Sequence, residues 1–373
     1  MSSVVASVTT LTSTTTSSTA SATCITATPD KNGHVPVDDC RALYNYYPSL
    51  AAAIIFCVVF GVSLVIHVTQ AVKWKKRFCW VIIMGVTWEL AAFILRALST
   101  RHQTNQAFFI PSFLLIFLAP LWINAFDYML LGRMIYYYIP NRSVFRVPAT
   151  ALTKIFVFFD VIAFLIQVTG GVMASSGPGT NQSTINLGLH IYMGGIALQQ
   201  FAILIFSSLA VRLHMHLIKL DREGQLWQAG KERGWRKLMY TLYASLTFIT
   251  IRIIFRLIEY SPAGESSNIQ GKEVLFYTLD SVPMAFAAYL INIFHPGPIL
   301  VGPDSEFPKK SRKEKQEEKK VKKEENKRAK EEKKREKELK KAEKNAEKHA
   351  YLEMGPYVNG GETEGDGMGH NAV

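Results

Sequence analysis

What this sequence lacks excludes several classes of protein before any motif is read. Cysteine is scarce, with four residues in 373. Cys24, Cys40, Cys57 and Cys79 have no zinc-type spacing. There is no Gly-rich phosphate loop of the Walker type, which argues against a pump driven by its own nucleotide hydrolysis. The last apolar run carries no lysine for a retinal Schiff base, which argues against a rhodopsin. His67 and His190 stand alone, and repeated His, Asp and Glu clusters are missing. No metal or cofactor is therefore expected, and the chain does not read as an enzyme. The first residues have neither a basic n-region nor an apolar h-region, so no cleavable signal peptide is expected and the first span must be its own targeting signal.

What is present falls into three parts that the averages conceal. The formal net charge is +12 and 49% of residues are hydrophobic, but the apolar residues concentrate in the middle and the basic ones in short loops and the tail. Residues 1–45 are Ser/Thr-rich, without periodicity, and are expected to be a disordered extracellular head. If that head is extracellular, Cys24 and Cys40 are placed to form a disulfide. Residues 46–300 hold seven apolar runs, each close to the ~20 residues that span a bilayer as helix. They lie near Ser49–Gln70, Phe78–Leu98, Pro111–Leu131, Leu152–Ala174, Leu187–Leu209, Leu238–Glu259 and Glu273–Phe294. Residues 301–373 form a Lys/Glu-rich tail with no apolar seam, expected to be partly a single helix and partly disordered.

Loop charge orients the bundle. Lys73, Lys75, Lys76 and Arg77 follow the first run, Arg142, Arg146 and Lys154 flank the loop after the third, and Lys219, Arg222, Lys231, Arg233, Arg236 and Lys237 follow the fifth. Alternate loops are almost free of basic residues, which puts the amino terminus outside and the carboxyl terminus in the cytosol. The expected fold is thus all-α, a polytopic integral membrane protein with a bundle of seven transmembrane helices. Asn181, in the sequon Asn181-Gln182-Ser183, then faces outward as a glycosylation acceptor, whereas Asn141 lies inside and stays bare. The basic tail is suited to anionic lipid headgroups before nucleic acid.

Ionisable groups inside the runs single out the candidate site. Arg252, Arg256 and Glu259 follow i, i+4, i+7 and share one helical face. Such groups cost several kcal/mol in a span unless they pair or meet water. Glu89 and Arg96 lie seven residues apart in the second run, Asn124 and Asp127 in the third, Asp160 and Gln167 in the fourth, Gln199 in the fifth, and Asp280 in the seventh, which ends on His295. Gly170-Gly171 in the fourth run allow close backbone approach, and the fifth run carries Gly194-Gly195. Arg96, Arg252, Arg256, Glu259 and Asp280 fall in the outer half, while Asn124, Asp127 and Asp160 lie from mid-membrane inward. A structural clamp and a hydrated groove for a charged or zwitterionic headgroup both account for the outer set.

The chain resembles the fungal lipid-translocating exporter family, the RTA-like seven-span proteins. The blocks that carry the resemblance include Glu89-Leu-Ala-Ala-Phe93-Ile-Leu-Arg96, Leu118-Ala119-Pro120 with Tyr128-Met129-Leu130-Leu131-Gly132-Arg133, and Asp160 with Gln167-Val-Thr-Gly170-Gly171. Phe255-Arg256-Leu-Ile-Glu259-Tyr260, Glu273-Val-Leu-Phe-Tyr277-Thr-Leu-Asp280 and His295-Pro296-Gly297 complete it over residues 44–300. Two departures are Ala92-Phe93, where the family has Gly and Tyr, and Asp127, where an uncharged residue is expected.

The resemblance implies a protein of the plasma membrane, or of vacuolar or endosomal membranes, that exports or senses sphingoid long-chain bases and protects against toxic lipophilic compounds. Two functions stay open at this point. One is a translocator in which Glu89, Glu259 and Asp280 attract an amphiphile's ammonium group. The other is a seven-span receptor for lipid or external pH that signals through its cytosolic loops and tail.

Overall fold

A run of apolar residues in lipid becomes helix because no water is available to satisfy its backbone N–H and C=O groups. The computed structural model describes residues 26–37, 39, 41–140, 142–144, 147–174, 181–228, 234–261, 269–302, 307 and 312–353. Among the described residues, seven helices are long and apolar enough to cross a membrane. They are α1 (Leu50–Trp74), α2 (Trp80–Arg101, entered through a 3₁₀ turn at Arg77–Cys79), α3 (Gln106–Tyr138), α4 (Ala149–Ala174) and α5 (Gln182–Arg222). A short α6 (Gln225–Gln228) precedes the remaining two spans, α7 (Trp235–Glu259) and α8 (Glu273–Ile293). Each span falls over one of the expected apolar runs, and the protein is an all-helical integral membrane protein. Among the described residues, strand is limited to a two-residue antiparallel pair, Ser143–Val144 with Val147–Pro148.

Helix ends follow local chemistry. The Ser49 hydroxyl accepts from Ala52 N at 3.3 Å and starts α1, and Asn105 Oδ1 accepts from Ala107 N at 2.9 Å and starts α3. α5 runs for 41 residues, about 60 Å, which is twice the hydrocarbon thickness. Its last turns contain Lys219 and Arg222, which the loop reading had placed outside helix. On α1 the outward side chains Ile54, Ile55, Val58, Val62, Val65, Val68 and Val72 are exposed and apolar, as a lipid-facing surface requires.

Inward, Phe56, Phe60, Phe93 and Tyr277 stack at centroid distances of 5.1 to 6.2 Å and bind α1, α2 and α8 together. α4 and α5 approach most closely through glycine. A Cβ on Gly170 would lie 2.4 Å from Tyr192 N, and one on Gly188 2.6 Å from Ala174 N. Neighbouring Gly171 has nothing nearer than 3.9 Å, and Gly194 nothing within 4 Å. Gly170→Ala is therefore expected to lower stability in detergent by about 1–3 kcal/mol through overpacking against backbone. Gly171→Ala should raise it by up to about 1 kcal/mol through helix propensity. Thermal unfolding of the two variants side by side checks this; equal effects would refute the close packing.

The Ser/Thr-rich head was expected to be disordered through residue 45. Its first 25 residues, with Cys24, lie outside the described residues, as does Cys40, so the proposed disulfide is not described. From residue 26 the chain makes defined contacts. Asp39 accepts from Ala27 N and Arg41 N, each at 2.8 Å, and the Arg41 guanidinium holds its carboxyl down to about 2. Gln103 Oε1 accepts from Val35 N at 3.2 Å, and the Tyr44 hydroxyl donates to Ser99 Oγ at 3.0 Å. This segment covers one end of the bundle, called here the head end. The opposite end, where the chain leaves α8, is the exit end. The charged tail is a separate compact unit, and within it Arg312–Glu353 form one 42-residue helix, α9.

Candidate functional site: a buried ion network at the head end

Two prolines prepare the site. Pro120 in α3 has no N–H to give the carbonyl of Ile116, four residues back. The Arg252 guanidinium from α7 donates to that carbonyl at 3.2 Å. In α8, Pro283 follows a π-turn at Tyr277–Ser281 that carries Asp280, a local widening often found at functional positions. Asp280 Oδ1 lies 2.9 Å from Nε of both Arg252 and Arg256. The contact to Arg256 is a hydrogen bond, whereas that to Arg252 is an ion-pair contact whose angle does not make one. Arg256 also donates to Glu259 Oε2 at 2.9 Å, and its guanidinium lies 4.7 Å from the Phe117 ring centroid. All four side chains are buried. The i, i+4, i+7 face of α7 is thus turned inward against α8 and α3.

Arg96 joins the same end with different partners. It donates to Glu273 Oε1 at 3.2 Å, to the Tyr46 hydroxyl at 2.7 Å and to the Tyr277 hydroxyl at 3.1 Å. Glu273 Oε2 accepts from Ser49 N at 2.8 Å and so ties α2, α8 and the entry to α1. Glu89, 2% exposed, makes no hydrogen bond or ion pair among the described residues. The charges that act on it are those of Arg252, Arg256 and Asp280. The paired groups of the network balance, Glu259, Glu273 and Asp280 against Arg96, Arg252 and Arg256, with Glu89 left beside them as an acid that no guanidinium pairs with among the described residues and Lys272 lining the cavity at the same end. A cavity of about 140 Å³ opens onto it, lined by Arg96, Arg256, Glu259, Tyr46, Phe113 and Phe276 among others.

Deeper in the bundle the other candidate residues form separate clusters. Asp160 Oδ2 accepts from Asn124 Nδ2 at 3.2 Å and from the Tyr128 hydroxyl at 3.0 Å. Asp127 Oδ2 accepts from the Ser245 hydroxyl at 2.6 Å. Gln167 donates to Gln199 Oε1 at 3.1 Å across the α4–α5 contact. His295 lies at the exit end, away from the ion network. Its Nδ1 accepts from Gly297 N at 3.0 Å, and its Nε2 faces Cys79 Sγ at 3.4 Å. Burial pushes the imidazole down to about 4, so it is neutral and locks the turn. Beside it a second cavity of about 890 Å³ is lined by Gln70, Lys73, Trp74, Lys237, Asn292 and His295 among others. Asn181 is exposed at the start of α5, at the head end.

Sequence reasoning missed Glu273, Tyr46 and Tyr277 as members of the site. Glu273 had been read as the boundary of the last span. The available signal was an acid followed four residues later by a tyrosine, both on the face that carries Asp280.

No solved structure matches. A protein named "Probable lipid transporter atnI", from Emericella nidulans, is 42% identical over 297 residues, covering 79% of this chain and 77% of that protein. The "Lipid-translocating exporter-like protein RTA1" of Leptosphaeria maculans is 27% identical over 283 residues, 70% of this chain and 52% of its own length. The "Sphingoid long-chain base transporter RSB1" of Saccharomyces cerevisiae is 25% identical over 289 residues, 70% of this chain and 75% of its own. The family model described as "RTA1 like protein" matches residues 82–302, which take in the ion network and both deeper aspartates. The chain belongs to the RTA1 like protein family.

Proposed function

We propose that this protein moves a cationic amphiphile, of the sphingoid long-chain base type, between the leaflets of its membrane. The head end faces outward, in the plasma membrane, and the exit end and charged tail face the cytosol against anionic lipid. Support comes first from the relatives named as lipid transporters. The observation that carries the reading is the buried acid Glu89, which no guanidinium pairs with among the described residues, beside an ion network that opens through Glu259 onto a cavity with aromatic walls. An ammonium group entering the cavity meets Glu259, which lines it, and gives Glu89 the counter-ion it lacks. Arg96, Arg252 and Arg256 keep the remaining carboxylates paired while the site is empty.

Lining residues of both kinds fit an amphiphile, whose headgroup enters the cavity while its acyl chain stays against lipid-facing helices. Between the two end cavities, Asn124, Asp127, Asp160, Gln167 and Gln199 give a headgroup polar partners along the way.

Reconstitution tests this directly. Folded protein in liposomes should accelerate transbilayer movement of a labelled long-chain base over empty vesicles, without nucleotide. Glu259→Gln and Arg256→Ala should each lower that rate by about tenfold or more, the first by losing one charge-assisted contact and the second by losing two. No acceleration by folded parent protein would end the translocator reading.

A further inference from the structure

Two carboxyl groups in the middle of the bundle have no cation to answer them. Asp127 is 0% and Asp160 2% exposed. Each uses one oxygen, toward Ser245 or toward Asn124 and Tyr128. The second oxygen of each, Oδ1, is buried without a hydrogen-bond partner, as is Asn124 Oδ1. The surrounding elements supply no compensation among the described residues. α7 presents Ser245, α3 presents Asn124 and Tyr128, and α5 and α4 close over Tyr128 with Phe206 and Phe156 at 4.5 and 5.3 Å. Tyr128 is the titratable group that feels both aspartates. Among the described residues, no lysine, arginine or histidine pairs with either.

The contrast with the head end decides the matter. There, one carboxylate oxygen of Asp280 serves two guanidinium groups. Ser245 and Arg252 sit seven residues apart on α7, hence on one face and about 10 Å apart along the axis. An uncompensated carboxylate at that depth carries a desolvation cost that neutralisation removes.

Resting on the translocator reading, we propose that Asp127 and Asp160 carry protons which are exchanged for the cationic headgroup of the passing lipid. Transport is then proton/amphiphile antiport. When the ammonium group reaches this depth it becomes the counter-ion of a carboxylate, and one proton leaves for each headgroup that arrives. Buried charge stays constant, and a proton gradient drives the movement without nucleotide.

The test uses full-length protein in liposomes and a labelled long-chain base with a trimethylated nitrogen, whose charge is fixed so that pH acts on the protein alone. A gradient of about one pH unit should shift the lipid's leaflet distribution by roughly tenfold per exchanged proton, and an equal Na⁺ gradient should not. Asp127→Asn and Asp160→Asn should bring the ratio of distributions with and without the gradient close to one. A parent protein that equilibrates the lipid identically with and without the pH gradient overturns the proposal and leaves the translocator reading standing; so does a response to Na⁺ alone. If the parent moves no lipid, the translocator reading fails instead, and infrared spectroscopy decides on the proton sites. A protonated-carboxyl band at neutral pH that weakens in each variant supports them. Absence of that band in the parent overturns them.

Discussion

Asp280→Asn is expected to lower folding stability by about 3–5 kcal/mol, the cost of breaking a buried ion pair by removing one partner. Asp280 Oδ1 accepts from Arg256 and forms an ion pair with Arg252, so the substitution leaves two guanidinium groups in the bundle facing a neutral amide. Arg252 would retain the Ile116 carbonyl, and Arg256 would retain Glu259. Neither remaining contact replaces the charge that sat between them. Glu259→Gln should cost less, because Arg256 keeps Asp280. Adding Arg252→Leu to Asp280→Asn should recover part of the loss by removing one stranded charge, an interaction that a double-mutant cycle reads directly. Denaturant or thermal unfolding in detergent gives all four values. A parent-like Asp280→Asn would show that the network is hydrated or mispaired.

The spans were legible because lipid leaves the backbone one solution, and the inward face of α7 was legible because the spacing of Arg252, Arg256 and Glu259 matches the helical repeat. What the spacing cannot give is the partner on another helix. Arg96 lies 177 positions from Glu273, and Glu273 begins its span, where an acid reads as a boundary. Pro120 announced a free carbonyl at Ile116, but not that Arg252 would claim it. Of each adjacent glycine pair only Gly170 and Gly195 face a neighbour closely, and a rotation of about 100° per residue separates them from Gly171 and Gly194. The reach of α5 through Arg222 was hidden for another reason. Its last turns are basic yet still helix-forming, so a hydropathy reading stops before the helix does.

Glu89→Gln provides the opposite case to Asp280→Asn. Folding stability should stay within about 1 kcal/mol of the parent, because the side chain keeps its shape and gives up no hydrogen bond or ion pair. Translocation of a cationic long-chain base should nevertheless fall by about tenfold or more, equivalent to about 1.4 kcal/mol of lost attraction. The reason is that Glu89 is the acid no guanidinium pairs with among the described residues, so with it made neutral an incoming ammonium loses the carboxylate free to answer it. Stability and flux therefore separate. A clamp that only holds helices together predicts that they fall together, and a groove that receives a headgroup predicts that this one substitution spares the fold and stops the lipid. Parent-like flux from Glu89→Gln in well-folded protein would remove Glu89 from the site and pass its role to Glu259, the acid that lines the cavity itself.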